Sequence, residues 1–123
     1  MKQNPLNLSP VFFMGIVSLG LITAHAHAAE IAIVGDGSSV PFRFDPANVT
    51  VKLGDKVTWV NKTNVEHSVT PDAAFKKRLK GKDIEASKAY STIIKAGPVK
   101  YHCKYHPQTQ TKEGRLHGLN LPP

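Results

Sequence analysis

The segment Val49–Val60 carries the clearest folding signal in the chain and reads VTVKLGDKVTWV. Apolar and polar residues alternate on both sides of Gly54-Asp55, as they do in strands that bury one face. Glycine followed by aspartate is typical of a tight turn, so the segment predicts a β-hairpin. The valines and Trp59 are expected to supply the buried side of this hairpin.

Further short segments with strand character lie on either side of this one and are separated by turn residues. These segments are Glu30–Val34, Phe42–Phe44, Val65–Val69, Tyr90–Ile94, Val99–Cys103 and Arg115–Leu121. Short strands at such turn-punctuated spacing predict an all-β fold, an antiparallel Greek-key β-sandwich. The region of residues 72–88 is less regular, and one short helix is allowed there, with Asp72–Leu79 as its candidate segment.

The N-terminal residues have the features of a secretory signal. Lys2 gives a positive start, Val11–Thr23 is apolar, and Ala26-His27-Ala28 is a small-x-small cleavage site. The apolar run is shorter than the roughly 20 residues that span a bilayer as a helix, which argues against a permanent anchor. We predict a signal peptide over residues 1–28 and a single domain over residues 29–123. Cleavage after Ala26 or Ala29 and a retained N-terminal anchor are the alternatives.

The chain is basic, with a formal net charge of +7. Loss of Lys2 with the signal would leave the remaining domain at +6, because residues 1–28 contain no acidic residue. A positive protein is steered towards acidic partners, and nucleic acid is a poor alternative for an exported protein. The cationic stretch Lys76–Lys82 is most simply a solvated loop, and its functional interpretation is steering of this kind.

The only cysteine, Cys103, lies three residues before His106 in the segment Tyr101–Pro107. A lone cysteine in an exported protein is usually either buried and inert or has a function, since an exposed free thiol would be oxidised. A thiolate and an imidazole at this spacing can bind one metal ion if a third ligand comes from elsewhere. His67, in an extended apolar segment, is the first candidate for that ligand.

These residues, taken together, resemble the plastocyanin, pseudoazurin and amicyanin group of cupredoxins. The resemblance is carried by Phe44-Asp45-Pro46, Val49–Trp59 with its Gly54-Asp55 turn, Asn61, His67-Ser68-Val69, Gly97 and Tyr101-x-Cys103-x-x-His106-Pro107. It covers nearly all of the chain after the predicted signal. A Cys-x-x-His pair alone is weak evidence, and the upstream His-Ser-Val, in the right order and at the right distance, makes the resemblance specific.

The resemblance implies a blue-copper site in which His67, Cys103 and His106 hold one copper ion in a trigonal plane as it alternates between Cu(I) and Cu(II). It also implies that His106 is the exposed ligand through which electrons pass. The implied function is that of a soluble, monomeric, periplasmic one-electron carrier between redox proteins, and not of an enzyme. The alternative is a periplasmic copper-binding or delivery protein whose site is adapted to exchange the copper ion. Zinc bound by the same three residues is another.

The axial ligand is where the sequence departs from this family. Relatives usually place a methionine three to five residues after the second histidine, where this chain has Thr109–Thr111. Both methionines, Met1 and Met14, lie in the predicted signal. An amide oxygen can take the axial position, so Gln110 is predicted to occupy it. Gln108, a vacant site, a threonine or a backbone carbonyl are the alternatives.

Four further polar residues lie outside the predicted set of metal ligands. Ser68 is a candidate hydrogen-bond donor to the sulfur of Cys103, or simply a polar strand residue. Strand alternation points His102 and Glu66 away from the metal. His117 belongs to no motif and is expected at the surface.

Overall fold

The computed structural model describes residues 27–106 and 113–118, which form a β-sandwich of two sheets. The strands within these residues are β1 (Ala28–Val34), β2 (Arg43–Asp45), β3 (Asn48–Val51), β4 (Lys56–Asn61), β5 (His67–Pro71), β6 (Lys82–Ile84), β7 (Ala89–Ile93), β8 (Val99–His102) and β9 (Gly114–Gly118). A 3-10 helix, Ala73–Phe75, lies between β5 and β6. In this described part of the chain, no helix has the length and apolar character needed to cross a membrane.

One sheet has the strand order β2-β1-β4-β7, and the other has the order β3-β9-β8-β5-β6. Strands that are distant in sequence lie side by side because many connections cross from one sheet to the other, as Greek-key connections do. Most pairs are antiparallel, but β1 pairs with β4 and β3 pairs with β9 in parallel. The β-sandwich prediction is confirmed, with two mixed sheets instead of purely antiparallel ones.

The predicted hairpin over Val49–Val60 is wrong, although both strands and the turn are present. β3 pairs with β9 in one sheet, whereas β4 lies between β1 and β7 in the other. Gly54, at φ +92°, forms the turn that carries the chain across the sandwich. Alternation shows that each strand buries one face, and it does not identify the hydrogen-bonded neighbour. Both strands bury their apolar side chains in the same core from opposite sheets.

The core between the sheets is built around aromatic residues. Trp59 and Tyr101 are fully buried, and their rings meet edge to face with centroids 5.4 Å apart. Phe44 packs against the other side of Tyr101, with centroids 4.8 Å apart. A β-carbon at Gly114 would overlap the Tyr101 ring, so glycine is required for β9 to approach β8. The expected core role of Trp59 is confirmed.

The irregular region after β5 contains one element that was predicted and one that was not. The short helix occurs there as Ala73–Phe75, which is shorter than the candidate segment Asp72–Leu79. The strand β6 was missed, because Lys82 and Asp83 are charged and only Ile84 is apolar, so the segment shows no alternation. It pairs with β5 through His67 and Ile84, and it thereby places Asp83 near the loop that follows β8.

The two ends of the sandwich are defined by the direction of β8. This strand begins at Val99 and ends at His102, so Cys103 lies just beyond one end. β5 begins at His67 and runs antiparallel to β8, with Thr70 opposite His102. His67 is therefore brought to the same end as Cys103, which we call the upper end; the lower end is the opposite one.

Candidate metal centre

Three side chains with metal-binding atoms converge at the upper end. The Sγ atom of Cys103 lies 3.6 Å from Nδ1 of His67 and 3.2 Å from Nδ1 of His106. The three potential ligand atoms all lie within 4.8 Å of one another. His67 is fully buried, Cys103 is 2% exposed, and His106 is partly exposed. The tertiary structure thus brings together the three equatorial residues singled out in the sequence.

These distances suit a single metal ion. Bonds of about 2.0 Å to nitrogen and about 2.3 Å to sulfur, at a trigonal angle, separate the two ligand atoms by about 3.7 Å. The observed separations of 3.2 and 3.6 Å are close to this value. One thiolate and two imidazoles are also the equatorial donor set of blue-copper sites. The residues present therefore fit a copper ion.

The orientation of the His67 ring is fixed by a hydrogen bond with Thr63, on the side of the ring away from Cys103. Nε2 of His67 lies 2.9 Å from the Thr63 hydroxyl oxygen. That hydroxyl has acceptors of its own, the Asn61 Oδ1 atom at 2.7 Å and the Val65 carbonyl at 3.1 Å. The Thr63 proton is thus used elsewhere, so the hydroxyl accepts a bond from Nε2–H. This tautomer leaves the Nδ1 lone pair facing Cys103, as metal binding requires.

Asn61, at the end of β4, holds this support in place. Its amide nitrogen donates to the carbonyls of Val65 and Ile84, at 2.8 and 3.0 Å, and its oxygen also accepts the Thr63 backbone N–H at 3.0 Å. Asn61 is fully buried, and its side chain therefore connects β4, the loop before His67 and β6. The sequence singled out Asn61 only through the family resemblance, and it gave no role to Thr63. Without the fold, no local signal shows that the two side chains support His67.

Burial sets the protonation of both histidines. It lowers the pKa of His67 to about 4, with a smaller contribution from repulsion by His106. Burial also lowers the pKa of His106 below its ordinary value. Both imidazoles are therefore neutral at pH 7, and each has a lone pair available for a metal ion.

The stability of the metal-free protein is expected to fall as the pH falls from about 6.5 towards about 4. In this pH window His67 is protonated in the unfolded chain but neutral in the folded chain, so acidification favours unfolding. Urea denaturation of the metal-free protein at several pH values measures this effect. His67→Gln is expected to flatten the dependence, and an unchanged slope in that variant would contradict the assignment.

The sulfur of Cys103 accepts a hydrogen bond from the backbone of Ser68, whose N–H lies 3.3 Å from Sγ. The predicted donor is thus in the right place, but the backbone amide points at the sulfur. The Ser68 hydroxyl instead accepts the Lys104 N–H at 2.9 Å and pairs with the Thr70 hydroxyl at 2.8 Å. Ser68 therefore stabilises negative charge on the sulfur and fixes the backbone after Cys103.

Phe42, which the sequence placed only in a predicted strand segment, forms an apolar wall of the site. Its ring centroid lies 4.6 Å from that of His67 and 4.7 Å from that of His106. Gly37 makes room for this ring, since a β-carbon there would lie 2.7 Å from it. Contact with both imidazoles limits their rotation and keeps water away from the ligand atoms.

The loop between Cys103 and His106 is held from outside by Asp83. The Tyr105 hydroxyl donates to one carboxylate oxygen at 2.6 Å, and the Lys104 ammonium lies 2.9 Å from the other. The Tyr105 hydrogen bond and then that of Lys104 lower the pKa of the Asp83 carboxyl. Asp83 was not expected near the site, because the strand that carries it was not predicted.

The structure describes three of the remaining residues that were singled out in the sequence, and it does not describe the predicted axial ligands. Glu66 is exposed, as expected. His102 points away from the three ligand atoms and pairs with Asp72 at 2.6 Å. His117 is exposed and lies 3.3 Å from the Asn48 side-chain oxygen. The predicted axial ligand Gln110 and its alternative Gln108 lie outside the described residues.

A β-sandwich with a buried cysteine sulfur and two imidazoles at one end defines a mononuclear metalloprotein with a soft donor set. Residues 29–113 match the family model described as copper binding proteins, plastocyanin/azurin family. The chain therefore belongs to the plastocyanin/azurin family of copper-binding proteins, and its cofactor is copper.

Individual relatives agree with this family. Amicyanin of Paracoccus denitrificans is 37% identical over 87 residues, which cover 68% of this chain and 65% of that protein. A chloroplastic plastocyanin of Tetradesmus obliquus is 38% identical over 47 residues, or 38% of this chain and 31% of that protein. The structure of a purple cupredoxin from Nitrosopumilus maritimus superposes with a TM-score of 0.60 at 21% identity, over 74% of this chain and 99% of that chain. The chain thus covers less than two thirds of the length of these two sequence relatives.

Proposed function

We propose that this protein is a one-electron carrier in which His67, Cys103 and His106 bind a single copper ion. The observation that carries the proposal is the convergence of Cys103 Sγ with two Nδ1 atoms at 3.6 and 3.2 Å. Copper held by such a donor set supplies reversible exchange of one electron between Cu(I) and Cu(II). A copper-binding or delivery protein is the second candidate, favoured by the absence of a methionine after residue 14.

The protein's contribution to electron transfer is to keep the ligands in place. His67 is held by Thr63 and Phe42, and Cys103 receives the Ser68 amide. Ligands fixed in this way move little when the charge of the site changes, which favours fast exchange. His106 is the partly exposed member of the set, so it is the proposed point of electron entry and exit.

The optical and electron paramagnetic resonance spectra of the protein after addition of Cu(II) test this function. A carrier is expected to show intense visible absorption from the thiolate bond and reversible one-electron reduction. A colourless protein that readily releases copper to a chelator would instead favour copper delivery. Zinc bound by the same residues would give no visible band and no redox step.

Gln110 is proposed as the axial ligand through its amide oxygen. A harder oxygen ligand favours Cu(II), so Gln110→Met is expected to raise the reduction potential by on the order of 60 mV or more, a tenfold change in the Cu(I) preference. Cyclic voltammetry and the visible spectrum measure the change. Gln108→Met is the matched control, and a shift only in that variant would move the assignment to Gln108. No shift in either would remove both residues from the site.

The proposed location is the periplasm, reached by a signal peptide over residues 1–28. The apolar segment and small-x-small site described above support this proposal. The proposed partners are redox proteins with acidic surfaces, which the net charge of +6 left after removal of residues 1–28 supports, and the protein is proposed to act as a monomer. Binding of each partner would be weak and centred on a small patch around His106.

A further inference from the structure

A cationic groove lies at the lower end of the sandwich, opposite the candidate metal centre. We call it the lower groove; its charged lining residues are Lys76, Lys77, Arg78, Lys80 and Lys95. Thr92, Ile93 and Ala96 complete much of its wall, and no acidic side chain lines it.

The position of the lower groove follows from a hydrogen bond between one of its side chains and the backbone before β8. Arg78 donates to the carbonyl of Pro98 at 3.0 Å. Pro98 precedes β8 and Cys103 follows it, so the two residues are separated by the length of the strand, about 17 Å. A redox partner that docks on a small patch around His106 would therefore not contact this groove. Its charge needs an explanation other than contact at the electron-exchange site.

The cations of the lower groove are not neutralised within the protein. All nine acidic residues of the chain lie in the described part, and the ion pairs found there involve His102, Lys104 and Arg115 instead. Five neighbouring positive charges repel one another, and this repulsion is relieved by an anionic surface. The groove is therefore electrostatically suited to a polyanionic partner.

Two exposed apolar side chains lie at the same end, and one of them, Ile93, lines the lower groove. Leu53 is 58% exposed, and Ile93 is 48% exposed. They are close because the N–H of Gly54 donates to the carbonyl of Ile94 at 2.8 Å, which joins the turn after β3 to the end of β7. Exposed apolar side chains next to a cationic surface are typical of segments that lie on a lipid surface, whereas an acidic protein would need only the charges.

The N-terminal segment joins the fold at this same end. Ala28 is opposite Lys56 in the parallel pair of β1 and β4, and Lys56 is opposite Ile93 in the next pair. The apolar segment Val11–Thr23 is therefore linked to the lower end through His27. With cleavage after Ala28, the new α-amino group would add another cation at this end.

We propose that the lower end binds the surface of a membrane that contains anionic lipids. The lysines and Arg78 of the lower groove contact the headgroups, and Leu53 and Ile93 enter the interfacial region. His106 then faces away from the membrane and stays accessible to redox partners. The inference concerns a surface that the copper site does not use, so it can fail without affecting the proposed electron transfer.

Co-sedimentation of the protein without the predicted signal, residues 29–123, with vesicles tests the proposal. Binding to mixed phosphatidylcholine and phosphatidylglycerol vesicles is expected to exceed binding to pure phosphatidylcholine and to decline with added salt. Lys76→Gln combined with Lys77→Gln is expected to weaken the anionic part of binding about 25-fold, since each surface cation contributes roughly fivefold. Leu53→Ser is expected to weaken binding to both kinds of vesicle.

The matched control is Lys62→Gln combined with Lys88→Gln, which removes the same charge from exposed lysines at the upper end. This control is expected to bind like the unmodified chain, and both double variants are expected to keep the copper spectrum. Equal weakening by the two double variants, or equal binding to both kinds of vesicle, would overturn the proposal. Binding of the groove to polyglutamate but not to anionic vesicles would assign it to an acidic protein and would also overturn the proposal.

Discussion

Cys103→Ser is expected to abolish the intense visible absorption of the Cu(II)-loaded protein and to weaken copper binding on the order of 1000-fold. The absorption depends on a bond from sulfur to copper, which a hydroxyl oxygen does not reproduce. The loss in affinity corresponds to about a third of the binding free energy typical of a structural zinc site. Optical titration with Cu(II), followed by competition with a chelator, measures both quantities.

The interpretation of this variant depends on the fold remaining intact. Cys103 is buried but small, and serine is close to it in size, so the metal-free variant is expected to keep the circular dichroism spectrum of the unmodified protein. His117→Gln is a suitable control, since His117 is exposed on β9 and is expected to have no effect on colour. If Cys103→Ser retained the visible band, the thiolate assignment would be wrong.

Asn61→Ala is expected to lower the free energy of unfolding by about 3 kcal/mol, which corresponds to a fall in Tm of roughly 15 °C. The substitution removes the hydrogen bonds from Asn61 to the Val65 and Ile84 carbonyls and from the Thr63 N–H to Asn61. The bonds with Ile84 and Thr63 are buried, so the loss of Asn61 leaves polar groups in the interior without this partner. Thermal denaturation of the metal-free protein measures the effect.

The same substitution is expected to weaken copper binding about tenfold, because Thr63 loses an acceptor and orients His67 less firmly. Asn64→Ala is the matched control: Asn64 lies in the same loop but is exposed, so its removal should change stability by less than about 0.5 kcal/mol. Similar losses in the two variants would show that the buried network around Asn61 does not stabilise the fold.

Most strands, and the three side chains that the fold brings together, could be singled out because local signals indicate them. Alternation in β4 reports one buried face, and the Cys103–His106 spacing is fixed by the chain itself. The 3-10 helix Ala73–Phe75 lies in the region where a helix was allowed, although it is shorter than expected. β6 was missed because only one of its three residues, Ile84, is apolar.

The sequence by itself determined which residues are apolar, where the chain turns, and which thiolate and imidazoles are available for a metal. Only the tertiary structure decided that β3 and β4 belong to different sheets, and that Thr63, Phe42 and Asp83 support the site. The physical reason is that a side chain's polarity is a local property, whereas a strand's partner depends on long-range hydrogen bonds. A buried hydrogen bond such as that from His67 to Thr63 likewise forms only after the two sheets have closed over it.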